Sequence, residues 1–379
     1  MKPVKYEIIT ASERLAEICN KLRHEQKLAL DLEADSMHHY KEKVCLVQLS
    51  SAKETWIIDP LHLTDITPLK NLLCDPGKTV VLHGGDYDIR SLYRDFTITI
   101  PQMFDTMIGA QFLGEPEFGL AALLLARYGV ALDKRFQKAD WSRRPLPDEM
   151  MNYAAADTAY LIGLAEAIIK ELEKKGRLWW VEEECSIVAG NRMAEKGDGP
   201  LWLKCKGAGK LQRRNLAILE ELLQFREAQA RELDRPTFKI IQTDTLVAIA
   251  EKTPQSVHDL NDIVGVTERL AKRYGHQIVT AIKKGMAIPE NRLPRFPKAK
   301  GEPNPGIKAR VTELKKWREE YSKKLELAPG LLAPNWLLER IAEVLPKNSE
   351  ELSKVTGIRK WQIAVWGKDI LPIMAKETA

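Results

Sequence analysis

No stretch of this sequence approaches the roughly 20 consecutive apolar residues needed to cross a bilayer. The opening Met1-Lys-Pro-Val-Lys-Tyr-Glu has no apolar run of the kind a secretory leader carries. Cysteine is scarce and scattered: Cys19, Cys45, Cys74, Cys185 and Cys205 are odd in number and never form a C-x-x-C pair, so neither a disulfide framework nor a zinc ribbon is indicated. Membrane and secreted readings fall away, and a reducing cytoplasm is the expected compartment. What remains is a chain of 379 residues, 44% hydrophobic and 29% charged, the profile of a soluble globular protein with two or three domains.

Neither sign of charge dominates the whole chain, but each dominates one half. Up to the break at Lys196-Gly-Asp-Gly-Pro200 there are 25 basic and 31 acidic residues; residues 201–379 hold 33 and 22. A basic half attracts a polyanion, while an acidic half repels one unless bound cations reverse the local field. The split hints at a metal-dependent enzyme carrying nucleic-acid-binding modules, with an ordinary solvated surface as the alternative.

Apolar runs at Tyr6–Thr10, Leu28–Leu32, Val44–Leu49, Thr55–Ile58 and Thr79–Leu82 predict strands. Between them, Ser12–Arg23, capped by Thr10 or Ser12, and Asp86–Phe96, after the Gly84-Gly85 turn, predict helices. From Phe104 the pattern turns helical: Thr106–Phe112, Leu120–Tyr128 and one long helix from Pro147 to Lys174. The first part is thus an α/β domain, a mixed sheet with flanking helices. The rest is helical throughout and repeats itself at an offset of 92 residues. Asp259-Leu-Asn-Asp-Ile-Val-Gly265 aligns with Glu351-Leu-Ser-Lys-Val-Thr-Gly357, Phe225-Arg-Glu with Trp317-Arg-Glu, and Pro254 with Pro346. The expected domains are 1–200, including a connecting helix, then 210–288 and 307–379 as two copies of one helical module, joined by a Pro-, Lys- and Gly-rich linker over 289–306.

Three acidic elements stand out. Alternation along a strand puts Asp31 and Glu33 on one face at roughly 6.5–7 Å, a spacing that can bracket a divalent cation. Tyr153 and Asp157 share a helix face at i, i+4, with three alanines between them. His83-Gly-Gly-Asp-Tyr-Asp88 follows a strand and opens a helix. Singly, each has an ordinary alternative: a solvated strand end, a helix surface pair, a cap.

The ordered set Asp31-x-Glu33, His83-Gly-x-x-x-Asp88 and Tyr153-x-x-x-Asp157 resembles the three motifs of the DEDD superfamily of 3′-to-5′ exonucleases, in its tyrosine branch. Where the other branch has a histidine five residues ahead of the last aspartate, this sequence has Asn152. Phe104-Asp-Thr-Met-Ile-Gly-Ala-Gln-Phe-Leu-Gly, Leu132-Asp-Lys, Asp140-Trp-Ser-Arg-Arg-Pro-Leu and Tyr153-Ala-Ala-Ala-Asp-Thr are similar to the ribonuclease D family, and the repeated module resembles the HRDC domain. The resemblance spans nearly the whole chain and is weakest over Gly176–Gly209. It implies a ribonuclease H-like α/β domain followed by two all-α HRDC-like domains. It also implies that Asp31, Glu33, Asp88 and Asp157 hold two Mg²⁺ or Mn²⁺ ions about 3.5–4 Å apart for in-line displacement at a phosphodiester. Tyr153, with an ordinary pKa near 10, would orient the nucleophilic water.

Glu42, Asp86 and Asp105 are acidic but sit off the motif positions. His38 and His39 form a pair more typical of a polar loop than of a site for hard Mg²⁺. Gly77-Lys78-Thr79 looks like the end of a Walker A loop, but Leu72 stands where that motif needs glycine, so no ATP is expected. Cations that could meet a nucleic acid are Arg143 and Arg144 before the long helix, and Lys315, Lys316, Arg318, Arg359 and Lys360 in the second helical copy. There they are interleaved with Trp317, Trp361 and Trp366, whose rings could stack bases or fill a core.

The expected function is a metal-dependent 3′-to-5′ exoribonuclease acting on single-stranded 3′ extensions of structured RNA and releasing nucleoside 5′-monophosphates, with transfer-RNA precursors implied by the resemblance. A monomer is favoured. A DNA exonuclease would share the same carboxylates and differ at the ribose 2′-OH. A non-catalytic RNA-binding adaptor would need a degraded acidic set, and here all five residues are present.

Overall fold

A computed structural model describes residues 4–133, 135–192, 199–297 and 305–375. The break expected around 196–200, residues 298–304 of the expected linker, Lys134 of the Leu132-Asp-Lys element and the last four residues lie wholly or partly outside the described residues. Two compact units emerge: the described residues of Met1–Ala34, Val44–Met193 and Gly301–Ala379 form one, and those of Asp35–Lys43 and Ala194–Lys300 the other. A linear division into 1–200, 210–288 and 307–379 does not by itself say which parts pack together. The second helical copy packs with the α/β domain, and the segment Asp35–Lys43 packs with the first copy.

The first unit begins β1 (Tyr6–Ile9), α1 (Ser12–Lys21), β2 (Lys27–Ala34), β3 (Val44–Ser50), β4 (Thr55–Ile58), α2 (Thr67–Leu73), β5 (Thr79–Leu82), α3 (Asp86–Phe96), β6 (Met103–Asp105) and α4 (Thr106–Leu113). It continues with α5 (Leu120–Tyr128), α6 (Asp148–Ala159), α7 (Leu161–Lys174) and α8 (Leu178–Ala189). The sheet order is β1-β4-β3-β2-β5-β6, with β2 antiparallel to β3 and parallel to β5. Every residue of β3 is buried, as a strand covered on both faces requires. Lys78 is buried and donates to the carbonyls of Leu22, Arg23 and Glu25, so it closes a backbone turn and makes no phosphate-loop contact.

Three local expectations need correction. The helix expected over Pro147–Lys174 is two helices that meet at Tyr160, which ends one and begins the other at φ −107°, ψ −7°. No glycine or proline marks that break. Strand β6 falls where helix was expected to begin; three buried residues, Met-Phe-Asp, are too short a run to show alternation. Helix α1 is capped by Ala11 without a side-chain capping bond, and the Ser12 hydroxyl accepts instead from the backbone N–H groups of Thr64 and Asp65.

The second unit holds α9 (Arg213–Glu232), α10 (Thr243–Lys252) and α11 (Glu268–Ala287), around a core that includes Leu219, Leu223, Ile249 and Ile278. Tyr40 joins it, its hydroxyl donating to Glu227 at 2.9 Å. Back in the first unit, α12 (Pro305–Leu325), α13 (Pro329–Leu332), α14 (Asn335–Val344), α15 (Ser349–Ser353) and α16 (Lys360–Ala375) complete the chain. The 92-residue repeat is present in the backbone itself. Left-handed conformations recur at Asp234 and Glu326, Thr253 and Leu345, and Gly265 and Gly357, each pair at that offset. Among the described residues no helix is long and apolar enough to cross a membrane.

Candidate active site

Strand β2 runs through the middle of the sheet; after Lys27, which pairs with Glu166, its polar residues are Asp31 and Glu33, both partly exposed, while Leu30 and Leu32 between and beside them are buried. Opposite β2, Ala154, Ala155 and Ala156 are essentially fully buried, and side chains this small let α6 lie close against β2, β3 and β4. That approach brings Asp157 to β2: ligand oxygens of Asp31, Glu33 and Asp157 lie within 4.8 Å of one another. Asp88, buried in the first turn of α3, stands outside this tight trio. It is still close enough for its charge to act on Glu33, as Asp31 acts on it.

Electrostatics follow from that crowding. Burial pushes Asp31 up to about 7 and, with the charge of Asp31 beside it, Asp157 up to about 8. Glu33 and Asp88 are raised well above the usual carboxylate range, first by burial and then by neighbouring carboxylates. Among the described residues no lysine or arginine forms an ion pair with any of the four. Acidic oxygens gathered without a cationic partner suit a hard divalent cation such as Mg²⁺ or Mn²⁺.

Tyr153 sits one turn before Asp157, near enough for phenol and carboxylate to act on each other electrostatically. Burial and the three nearby carboxylates raise the phenol above its ordinary pKa near 10, so it is a neutral donor at physiological pH. Phe136 meets its ring edge-on at 5.9 Å, and Trp141 packs at 6.0 Å, fixing where the hydroxyl points.

Several residues to which the sequence assigns no role of their own support the site. Asp105 caps α4 by accepting from the backbone N–H groups of Met107 and Ile108. It also accepts from Gly84 (2.9 Å) and Gly85 (2.8 Å), fastening the turn that leads to Asp88. An aspartate just before a helical run is a readable cap signal; its second task is not. Thr158 shares a hydroxyl contact with Ser50 (2.7 Å), which also meets Thr55 (2.8 Å), so the residue after Asp157 is pinned to β3 and β4. His83 uses Nδ1 on Thr106, while its Nε2 is buried without a partner. Gln48, register partner of Asp31, is buried with both amide atoms unpartnered.

Of the seven cations expected to meet nucleic acid, Arg144, Arg318 and Arg359 are engaged within the fold. Arg144 grips Asp59 through two bonds of 2.6 and 2.8 Å and donates to the carbonyls of Cys45 and Trp141. Arg318 is buried and donates to the Ala333 carbonyl and Asn335; Arg226 makes the equivalent bonds to Ile241 and Thr243 in the first copy. It is a repeated core arginine. Arg359 pairs with Glu184, while Trp361 and Trp366 are fully buried and Trp317 packs on that core. Arg143 is exposed beside Asp140, Lys316 is exposed beside Glu313, Lys315 is half-buried, and Lys360 is exposed.

Asp31, His83, Tyr153 and Asp157 open onto one cavity of about 340 Å³, with Leu120, Ala122, Leu132 and Leu161 on its walls. That is room for roughly one nucleotide, with an apolar side for a base and an acidic side for metal-bridged phosphate.

Residues 6–173 match the 3′-5′ exonuclease domain family, and residues 215–282 and 307–374 each match the HRDC domain, again at an offset of 92. Ribonuclease D of Granulibacter bethesdensis is 32% identical over 97% of this chain and 92% of its own length. Ribonuclease D of Escherichia coli is 30% identical over 91% of this chain and 93% of its own. The crystal structure of the Escherichia coli enzyme, an exoribonuclease involved in structured RNA processing, superimposes with a TM-score of 0.76 at 28% identity, covering 98% of this chain and 99% of that one.

Proposed function

Since this chain belongs to the ribonuclease D family and is a 3′-5′ exoribonuclease, we propose that it trims 3′ extensions from structured RNA, transfer-RNA precursors above all, releasing nucleoside 5′-monophosphates by two-metal hydrolysis. The observation that carries this reading is the convergence of Asp31, Glu33 and Asp157 within 4.8 Å, beside Tyr153, on a nucleotide-sized cavity.

Asp31, Glu33, Asp157 and Asp88 would hold the two cations, and four carboxylates balance the charge of two divalent ions. Bound Mg²⁺ or Mn²⁺ supplies Lewis acidity at the phosphodiester and lowers the pKa of water. The chain's own residues do the rest. Tyr153, a neutral phenol, orients the attacking water by hydrogen bonding and takes no proton from it. His83 lines the cavity wall, its ring held through Nδ1 by the Thr106 hydroxyl. The leucines of the cavity hold a terminal base against an apolar surface that reads no base edge, which fits stepwise removal irrespective of sequence.

The test is a Mg²⁺ or Mn²⁺ titration with a 5′-labelled transfer RNA carrying a 3′ trailer, run beside a DNA oligomer of the trailer sequence. Stepwise loss of trailer nucleotides from RNA, stopping near the folded stem and abolished by chelator, is expected. Shortening of DNA alone would replace this reading with a DNA exonuclease, and tight RNA binding without cleavage would replace it with an adaptor.

A further inference from the structure

The two helical copies share a backbone but differ on one helix. In the first copy the solvent face of α11 carries Arg269, Lys272, Arg273, His276, Lys283 and Lys284, all exposed. Spacings of 3, 4, 7, 14 and 15 residues from Arg269 place them within one stripe roughly 120° wide and about 22 Å long. The buried face, from Ala271 through Tyr274, Ile278 and Ile282, lies opposite. Glu268 is the helix's one carboxylate, and no described ion pair engages the five lysines and arginines of the stripe. Arg273 rests 5.1 Å from the ring of Tyr274.

At the same offset of 92, α16 of the second copy has Trp361 for Arg269, Ala364 for Lys272 and Val365 for Arg273. There the helix serves packing: Trp361 is fully buried, stacked on Trp180 and bonded through Nε1 to Glu184. A shared backbone in which the first three cations of one copy give way to Trp361, Ala364 and Val365 in the other, with Lys368 standing for His276, marks a division of labour. Resting on the exoribonuclease reading above, we propose that the α11 stripe of the first copy is the anchor for the phosphate backbone of folded RNA, while the second copy is a docking module for the exonuclease domain. The occupant is a polyanion rather than an apolar partner, because the stripe offers repeated cations at helical spacing with no large apolar side chain among them.

The test uses the full chain with Arg269→Gln, Lys272→Gln and Arg273→Gln combined. Its control removes the same charge from exposed residues elsewhere: Lys53→Gln, Lys170→Gln and Lys174→Gln. Binding of the trailer-bearing transfer RNA is followed from 50 to 200 mM salt, and cleavage of a short unstructured oligoribonucleotide is followed in parallel. Loss of three phosphate contacts should weaken binding by about 100-fold at 0.1 M salt and flatten the log–log salt slope by about 2. The control should keep its affinity, and both variants should cut the short oligomer at the wild-type rate. Unchanged affinity and slope in the α11 variant would overturn the proposal and leave the stripe to an acidic protein surface; equal loss in the control would overturn it as a net-charge effect. If the wild type cuts no RNA yet the α11 variant still loses binding, the anchor stands and the exoribonuclease reading falls.

Discussion

Trp361 of α16 stacks on Trp180 of α8 with ring centroids 5.2 Å apart and planes inclined by 18°, while Phe112 of α4 meets Trp361 edge-on at 5.3 Å. Three aromatic side chains from three helices thus join the second helical copy to the α/β domain, and carboxylates complete the joint: Glu183 accepts from the backbone N–H groups of Lys360 and Trp361. Trp361→Ala should therefore cost about 3–5 kcal/mol of stability, the usual penalty for emptying a buried indole site. Denaturant unfolding followed by circular dichroism checks it, and a loss below about 1 kcal/mol would mean that the joint contributes little.

Asp31→Asn and Asp157→Asn each remove one anionic ligand from the trio while leaving the α11 surface untouched. Cleavage of a short oligoribonucleotide should fall by more than about 100-fold, beyond what losing an outer partner of a metal ligand costs. Affinity for folded RNA should hold within a few-fold. Turnover at the wild-type rate with ordinary metal dependence would remove these residues from the ligand set.

Asp31, Glu33, Tyr153 and Asp157 could be read in the sequence because each motif is local: alternation on a strand and i, i+4 on a helix decide which side chains share a face. Their meeting in space also follows from the alanines beside Asp157, small enough to admit β2. Roles set by long-range contacts were not legible. Arg318 looks like a surface cation among Lys315 and Lys316, yet its helix turns it toward the carbonyl of Ala333. Only the matching Arg226 in the first copy betrays it. The break at Tyr160 carries no glycine or proline, and the grouping of Asp35–Lys43 with the first helical copy depends on Tyr40 and Glu227, 187 positions apart.

Asp105 offers a test of support without ligation. Asp105→Ala removes the α4 cap, worth about 1 kcal/mol, and frees the N–H groups of Gly84 and Gly85 that hold the turn before Asp88. The variant should fold, and its activity should fall about 10- to 100-fold with a raised requirement for Mn²⁺, as expected when an outer partner of a ligand is lost. Activity that saturates at the wild-type metal concentration would show that the turn positions Asp88 without Asp105.

The carboxylate cluster should make the metal-free protein less stable as pH rises. An acid whose pKa is higher in the folded state than in the unfolded chain binds more protons when folded. Stability is then greatest below the unfolded value near 4 and falls as pH climbs through the folded values, about 7 for Asp31 and about 8 for Asp157. Thermal midpoints measured in chelator should decline from pH 5 to pH 9. Asp31→Asn should flatten that decline and raise the midpoint at pH 9, because one of the crowded charges is gone. Added Mg²⁺ or Mn²⁺ should reverse the trend in the wild type, since deprotonated carboxylates are the form that binds metal. A midpoint in chelator that stays level across this range would mean that the four acids do not share the crowded, desolvated site from which their metal affinity is argued.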